Sequence, residues 1–290
     1  MSKKAPAFIL GYASSAGTRK ALNQDALLAM SARGLVGIKY ALIAVCDGVG
    51  GLARGEYAST VVCSLLAQWF TGELPKLDRQ SASGDSASGA FSDAVCDQWR
   101  GLIIRANDLL LRYSAANNME MGTTLCAQLA RAAADQKEVD WLACMIGDTR
   151  LYELKNEAGI TQLSVDQTLA NLSVAERTER REAIERISGL DEAAVLAQCL
   201  GLTQELKPVF LRGSCQTQAS YLICSDGFRH LITPTEMLTI LAPEHGNKDV
   251  TSEELTQRIE HLIALNMERG ETDNISATVL QVDMLGDAHA

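Results

Sequence analysis

The sequence predicts one α/β unit in which paired strands form antiparallel sheets and helices cover them. Three observations carry that expectation. First, short apolar runs bounded by Gly and Asp recur along the chain, as buried strands do. They lead into Asp47-Gly48, Gly147-Asp148 and Asp226-Gly227, and a further run opens behind Asp273-Asn274. Second, strand-like segments come in pairs rather than alternating strictly with helices, which favours antiparallel sheets. Third, no clear linker divides the 290 residues into two cores, and 47% hydrophobic residues suffice for one sizeable core.

The elements follow in order. Residues 54–70 predict a helix, because Tyr57, Val61, Leu65 and Trp69 recur at a four-residue spacing. Residues 71–90 include the Ser/Gly/Ala run 81–89 and predict a mobile surface loop. Residues 91–113 return to a helical pattern. Strands are expected at 123–130 and 141–146, then a hairpin through Leu151-Tyr152-Glu153-Leu154. The charged segment 174–187 predicts a helical, exposed flap. Thr233-Pro234-Thr235-Glu236 has the spacing of a capping box with Pro at the first helical position. Thr251-Ser252-Glu253-Glu254 starts a second capped helix that can run to Arg269. No internal repeat is present.

Bulk properties exclude several classes. A net charge of −10 and a pI near 5.0 oppose capture of nucleic acid or anionic membrane. No run of 18 apolar residues predicts a membrane-spanning helix. Met1-Ser2-Lys3-Lys4-Ala5-Pro6 is basic but not followed by a signal-like hydrophobic stretch. The eight cysteines (Cys46, Cys63, Cys96, Cys126, Cys144, Cys199, Cys215, Cys224) form no C-x-x-C pair and fall mostly inside apolar runs. They predict reduced core thiols and a cytoplasmic location, not a disulfide framework or zinc site.

An Asp-Gly pair after a strand often makes only a turn. Three strand-end aspartates plus Asp273 at one rim, however, would repel one another and raise each other's pKa unless a cation neutralised them. A metal site of oxygen ligands is therefore favoured. Two competing motifs are weaker. Cys144-Met145-Ile146-Gly147-Asp148-Thr149-Arg150 fits the C-x-x-G-x-x-R spacing of a cysteine-dependent phosphatase. No helix follows to cradle phosphate, Asp148 puts a negative charge there, and Cys144 lies in a buried run. Gly48-Val49-Gly50-Gly51-Leu52-Ala53 fits a dinucleotide-binding loop, but no second acid-terminated strand follows at the required distance.

Taken in order, Asn23-Gln24-Asp25, Val45-Cys46-Asp47-Gly48-Val49-Gly50-Gly51, Gly55-Glu56, Gly122-Thr123-Thr124 and Ile146-Gly147-Asp148-Thr149-Arg150 form a recognisable series. Asp166-Gln167-Thr168, Leu200-Gly201, Cys224-Ser225-Asp226-Gly227 and Asp273-Asn274-Ile275-Ser276 complete it. With this series the chain resembles the bacterial form of the metal-dependent, type 2C serine/threonine protein phosphatases. The resemblance runs from about residue 8 to 282. It implies an α+β fold: a four-layer α-β-β-α sandwich of two central antiparallel sheets flanked by helices. One phosphatase domain would then span 1–290, with a flap at about 169–198 bordering the site.

The resemblance also implies two metal ions, Mn2+ or Mg2+, and a possible third. Asp25, Asp47, Asp226 and Asp273 would hold the pair, with the Gly48 backbone carbonyl, and Asp148 matches a position that helps bind the third. Oxygen donors suit those cations rather than zinc. The implied reaction is hydrolysis of phosphoserine or phosphothreonine in proteins by a metal-bridged water, without a phosphoenzyme. Asp25 or Asp226 would orient the nucleophile, and the partner would be a phosphoprotein substrate of a Ser/Thr kinase.

Several positions depart from the family pattern. Where an arginine usually grips phosphate, five residues before the first metal-binding Asp, this chain has Lys20, with Arg19 beside it. Lysine keeps the charge but loses the bidentate fork. Val49 and Leu52 stand where relatives carry histidine, so no general acid is nominated, and His230 reads as a surface or packing residue. The altered Lys20 position motivates the alternative of a pseudophosphatase acting as a binding or regulatory module. A third option, an enzyme of small phosphate esters, would require a deep closed pocket.

Overall fold

Strand β3 (Lys39–Cys46) shows why the fold has four layers. Its residues alternate between two apolar environments rather than between core and water. Leu42, Ala44 and Cys46 pack among helices, whereas Ala41, Ile43 and Val45 face a second sheet. The computed structural model describes residues 6–49, 54–82, 88–133, 138–179, 191–216, 218–243 and 250–283.

One five-stranded sheet has the order β2-β3-β4-β5-β8, with β2 at Ala26–Arg33, β4 at Leu125–Ala132, β5 at Val139–Ile146 and β8 at Val209–Cys215. The other runs β1-β10-β9-β6-β7, with β1 at Ala7–Ser15, β6 at Arg150–Lys155, β7 at Gly159–Gln162, β9 at Ala219–Cys224 and β10 at Ile275–Asp283. Every pairing within them is antiparallel. Between the sheets lie Ile43, Cys126 and Met145 from one and Leu151, Tyr221, Ile223 and Leu280 from the other.

Helices α1 (Gly55–Gly72), α2 (Leu74–Ala82) and α3 (Ser88–Asn117) cover the first sheet. Leu66, Trp69, Trp99 and Leu102 bury against Leu42, Leu129 and Leu142, and the Trp69 and Trp99 rings meet edge-on at 5.4 Å. After α4 (Val174–Glu179) and the single-turn α5 (Asp226–Arg229), helices α6 (Pro234–Leu241) and α7 (Ser252–Glu268) cover the second sheet. There Leu255, Ile259 and Leu262 pack on Leu222, Ala277 and Val279. Each buried Leu, Ile or Val side chain here contributes about 1.5–3 kcal/mol. The α-β-β-α sandwich expected from the resemblance is observed. Both capping boxes form, Thr233 with Glu236 and Thr251 with Glu254.

One expectation is corrected. The segment 71–90, read as a loop, contains helix α2; residues 83–87 of it lie outside the described residues. Leu74 and Leu77 are buried, and the buried Asp78 carboxylate accepts hydrogen bonds from Leu35 N at 2.6 Å and the Tyr40 hydroxyl at 2.8 Å. Those anchors precede the Ser/Gly-rich run whose composition dominated the sequence reading. Of the helical flap 174–187, α4 accounts for the described part, and 180–190 lie outside it. Among the described residues no helix is long and apolar enough to cross a membrane.

Candidate metal centre

Strand register brings five aspartates to one rim. Ala26 of β2 pairs with Cys46 of β3, so Asp25 and Asp47, one step beyond, are neighbours. Arg150 of β6 and Ala277 of β10 both pair with Cys224 of β9. Asp148 before β6, Asp226 after β9 and Asp273 before β10 therefore share that end. Tight backbone approaches hold the loops in place. A Cβ on Gly48 would meet Gln24 O at 2.5 Å, and one on Gly227 would meet Asn274 O at 2.2 Å. Only glycine fits at either position.

The motif residues around the aspartates act as struts. Asp47 N donates to Thr124 Oγ1 at 2.9 Å, and Asp47 O accepts from Thr124 N at 2.8 Å and Thr123 Oγ1 at 2.9 Å. Asn23 Oδ1 accepts from Asp25 N at 3.1 Å. Asn274 ties the loop between β1 and β2 to β10, accepting from Gln24 N at 3.0 Å and donating to Ala16 O and Leu22 O at 3.1 Å each. Glu271 Oε1 accepts from the amides of Thr272 and Asp273 at 2.8 Å each.

Among the described residues, acidic groups outnumber cations here. Burial raises Asp47 well above the usual carboxylate range, and Asp25, Asp226, Asp148 and Asp273 add to the rise. Asp25 is pushed up to about 6, chiefly by burial, with Asp226 adding to it. Ser276, Asp47 and Ser225 lie near enough to temper that rise, yet both Asp25 carboxylate oxygens are buried without a hydrogen bond of ordinary geometry. Asp148 is also raised to about 6, by burial first and then Asp226, with Arg229 opposing.

Two cations do reach the rim. Lys20 Nζ bonds Asp273 Oδ1. Burial would lower the Lys20 pKa, but that bond and the fields of Asp273, Asp47 and Asp226 raise it overall. Arg229 Nη2 lies 3.5 Å from Asp148 Oδ2. Among the described residues no three carboxylate, imidazole or thiol groups already converge on one ion position. The donor set nonetheless fits hard divalent cations: every candidate ligand is an oxygen, Asp25 offers two unpartnered buried ones, and the acids outnumber the cations.

Of the predicted residues, Asp25, Asp47, Gly48, Asp148, Asp226, Asp273 and Lys20 come together. Arg19, beside Lys20, is exposed. His230, expected to be a surface or packing residue, places Nε2 3.7 Å from Asp226 Oδ2 and Nδ1 3.2 Å from Glu271 Oε2. Arg229 and His230 follow Asp226 at three and four residues, the spacing that puts side chains on one helical face. That spacing was the available signal for both.

The base of the flap adjoins Asp148. Arg150 forks onto Asp166 through Nε at 2.9 and 3.1 Å and Nη2 at 2.6 Å. Gln167 Oε1 accepts from Gly147 N at 2.7 Å, and Thr168 bridges Leu196. Asp166-Gln167-Thr168 thus serves as a structural brace. With Arg150 committed to Asp166 and the Cys144 thiol buried and its pKa raised by burial, the cysteine-phosphatase motif has neither its nucleophile nor its phosphate clamp.

The four-layer sandwich and this rim of acids at its strand ends set the class of protein to which the chain belongs. Residues 14–263 match the family model described as Protein phosphatase 2C, and the chain belongs to that family. The serine/threonine protein phosphatase PstP of Mycobacterium tuberculosis is 29% identical over 282 residues, covering 94% of this chain and 45% of PstP. This chain thus spans about half the length of that relative. The serine/threonine phosphatase stp of Listeria monocytogenes is 25% identical over 248 residues, 84% of this chain and 85% of stp. The solved catalytic domain of PstP, in complex with 2 manganese ions, superposes with a TM-score of 0.61 at 27% identity, covering 95% of this chain and 99% of that one.

Proposed function

We propose that this chain is a metal-dependent phosphatase that hydrolyses phosphoserine and phosphothreonine in proteins. The observation that carries the reading is the pairing of half-buried Asp25 and Asp47 across β2 and β3, with both Asp25 carboxylate oxygens buried and unpartnered. Such a pair is unfavourable unless divalent cations sit against it. Asp25, Asp47, Asp226 and Asp273, with the Gly48 carbonyl, would hold two ions, Mn2+ or Mg2+; the manganese in the PstP catalytic domain supports that choice. Asp148 stands apart from these four, because Arg229 already pairs with it.

Bound ions would supply the Lewis acidity that activates water for direct attack on phosphorus, with no phosphoenzyme. The chain's own groups do the positioning. Asp25 and Asp226 accept hydrogen bonds from the attacking water and fix its direction. Lys20, part-exposed at the rim, offers a point charge to the phosphoryl oxygens once its hold on Asp273 loosens. Arg19 is the reserve for that contact. The substrate would be a phosphoprotein made by a Ser/Thr kinase, met in the cytoplasm, and residues 1–290 would act as one phosphatase domain with its core at 8–282.

The test is release of phosphate from a phosphothreonine peptide, with and without Mn2+, by the wild type and Asp226→Ala. Metal-dependent release that the substitution removes is expected. Folded wild-type protein that releases none at any Mn2+ concentration would favour the binding-module alternative, for which the Lys20–Asp273 bond is the specific motive.

A further inference from the structure

We infer that Arg229 is a built-in cation for Asp148, so that this chain binds two divalent ions and not three; the inference rests on the metal-centre reading above. Both side chains are largely withdrawn from water, at 16% and 15% exposure, and face each other at 3.5 Å. Either charge buried alone would be costly, and each has the other. Arg150, the neighbouring guanidinium, is engaged by Asp166 through Nε and Nη2 and by the Tyr152 hydroxyl through Nη1. A guanidinium does not release its charge by deprotonation, so it acts as a permanent counter-ion.

The backbone beneath Arg229 makes the pairing a fixed feature. Helix α5 is seated by Phe228, which is fully buried. Asn266 Nδ2 donates to Gly227 O at 2.9 Å and Phe228 O at 2.7 Å, pinning the same turn to α7. Lys20 differs. It stands outside any strand or helix, is 31% exposed, and ends a flexible four-carbon stem that can swing from Asp273 toward a substrate.

Charge balance points the same way. Among the described residues, Asp25, Asp47, Asp148, Asp226 and Asp273 feel one another, and Lys20 and Arg229 offset two of the five. Two divalent ions outweigh the remaining excess, and still balance it if the adjacent Glu271 is counted. A third divalent ion at Asp148 would meet a guanidinium of its own sign.

The test counts ions rather than turnover. Folded protein, checked by circular dichroism, is dialysed to equilibrium against Mn2+ and its metal content per chain is measured. Two ions are expected in the wild type and three in Arg229→Gln. Arg229→Lys, which keeps the charge, should return the count to two, as should Arg229→Gln combined with Asp148→Asn. Three ions in the wild type, or no gain in Arg229→Gln, would overturn the role of Arg229 and leave the two-metal reading standing. The wild-type count alone can decide against the inference if Arg229→Gln fails to fold. No bound Mn2+ in folded wild type would overturn the metal-centre reading and this inference together.

Discussion

Two regions of the sandwich hold buried polar atoms without a protein partner, and they differ in kind. At the rim these atoms are the carboxylate oxygens of Asp25, surrounded by other acids, and Nε of Arg229. Midway between the sheets they are the amide of Gln128 and the hydroxyl of Thr278, both fully buried. Strand alternation turns Gln128 of β4 and Thr278 of β10 inward, because their neighbours Ala127, Leu129, Ala277 and Val279 pack against the helices. A neutral amide or hydroxyl costs a modest amount when unpaired, and one internal water can satisfy it. Clustered carboxylates need opposite charge. The rim therefore carries the charge imbalance on which the proposed metal site rests, whereas the interior tolerates a local imperfection.

The largest expected effect tests the rim directly. Asp226→Ala should lower kcat on a phosphothreonine peptide by on the order of 1,000-fold, about 4 kcal/mol of barrier, with the fold retained. Full activity in that variant would remove Asp226 from the site.

Next in size is the pH dependence of the metal-free protein. Asp25 and Asp148 titrate near 6 when folded, against about 3.9 for an unfolded aspartate. The native state then binds more protons between these values, so each group's contribution is complete below about 4 and is lost as pH rises through 6. Urea unfolding from pH 4 to 7 should show Asp148→Asn escaping a loss of about 2 kcal/mol that the wild type suffers. Parallel curves for the two proteins would mean that Asp148 is not under charge stress.

Lys20→Ala should raise KM about tenfold with little change in kcat, about 1.4 kcal/mol of phosphate binding. Lys20→Arg should lower KM by restoring a bidentate fork. An unchanged KM in Lys20→Ala would pass the role to Arg19 or another cation. Smallest, and on the interior side of the comparison, Gln128→Leu should stabilise the protein by about 1 kcal/mol in urea, since it removes an unpaired buried amide. A clear destabilisation would show that this amide is satisfied in solution.

The sequence made the central strands legible, because β3, β5 and β9 are apolar on both faces and are followed by Asp, Gly-Asp and Ser-Asp. It was silent on β1, β2 and β8. These lie at sheet edges, are only partly buried, and lack a clean apolar alternation. Helix α2 was missed because its anchor is tertiary: Asp78 is held by Leu35 and Tyr40, far away in the chain. In the site, the aspartates stood out at strand ends. The partners that condition them did not, since Lys20–Asp273 spans 253 residues and Arg229–Asp148 spans 81.

The brace at the flap's base has one more consequence. Residues 167–169 and 195–197 are joined by Ala197 N to Gln167 O at 2.7 Å and Leu169 N to Val195 O at 2.9 Å, so the intervening segment leaves and re-enters at one point. Lengthening a segment closed in this way costs little, about 0.6 kcal/mol per doubling. Evolution or an engineer can thus exchange what lies between those anchors while Gln167 keeps its grip beside Asp148 and the acidic rim stays as it is.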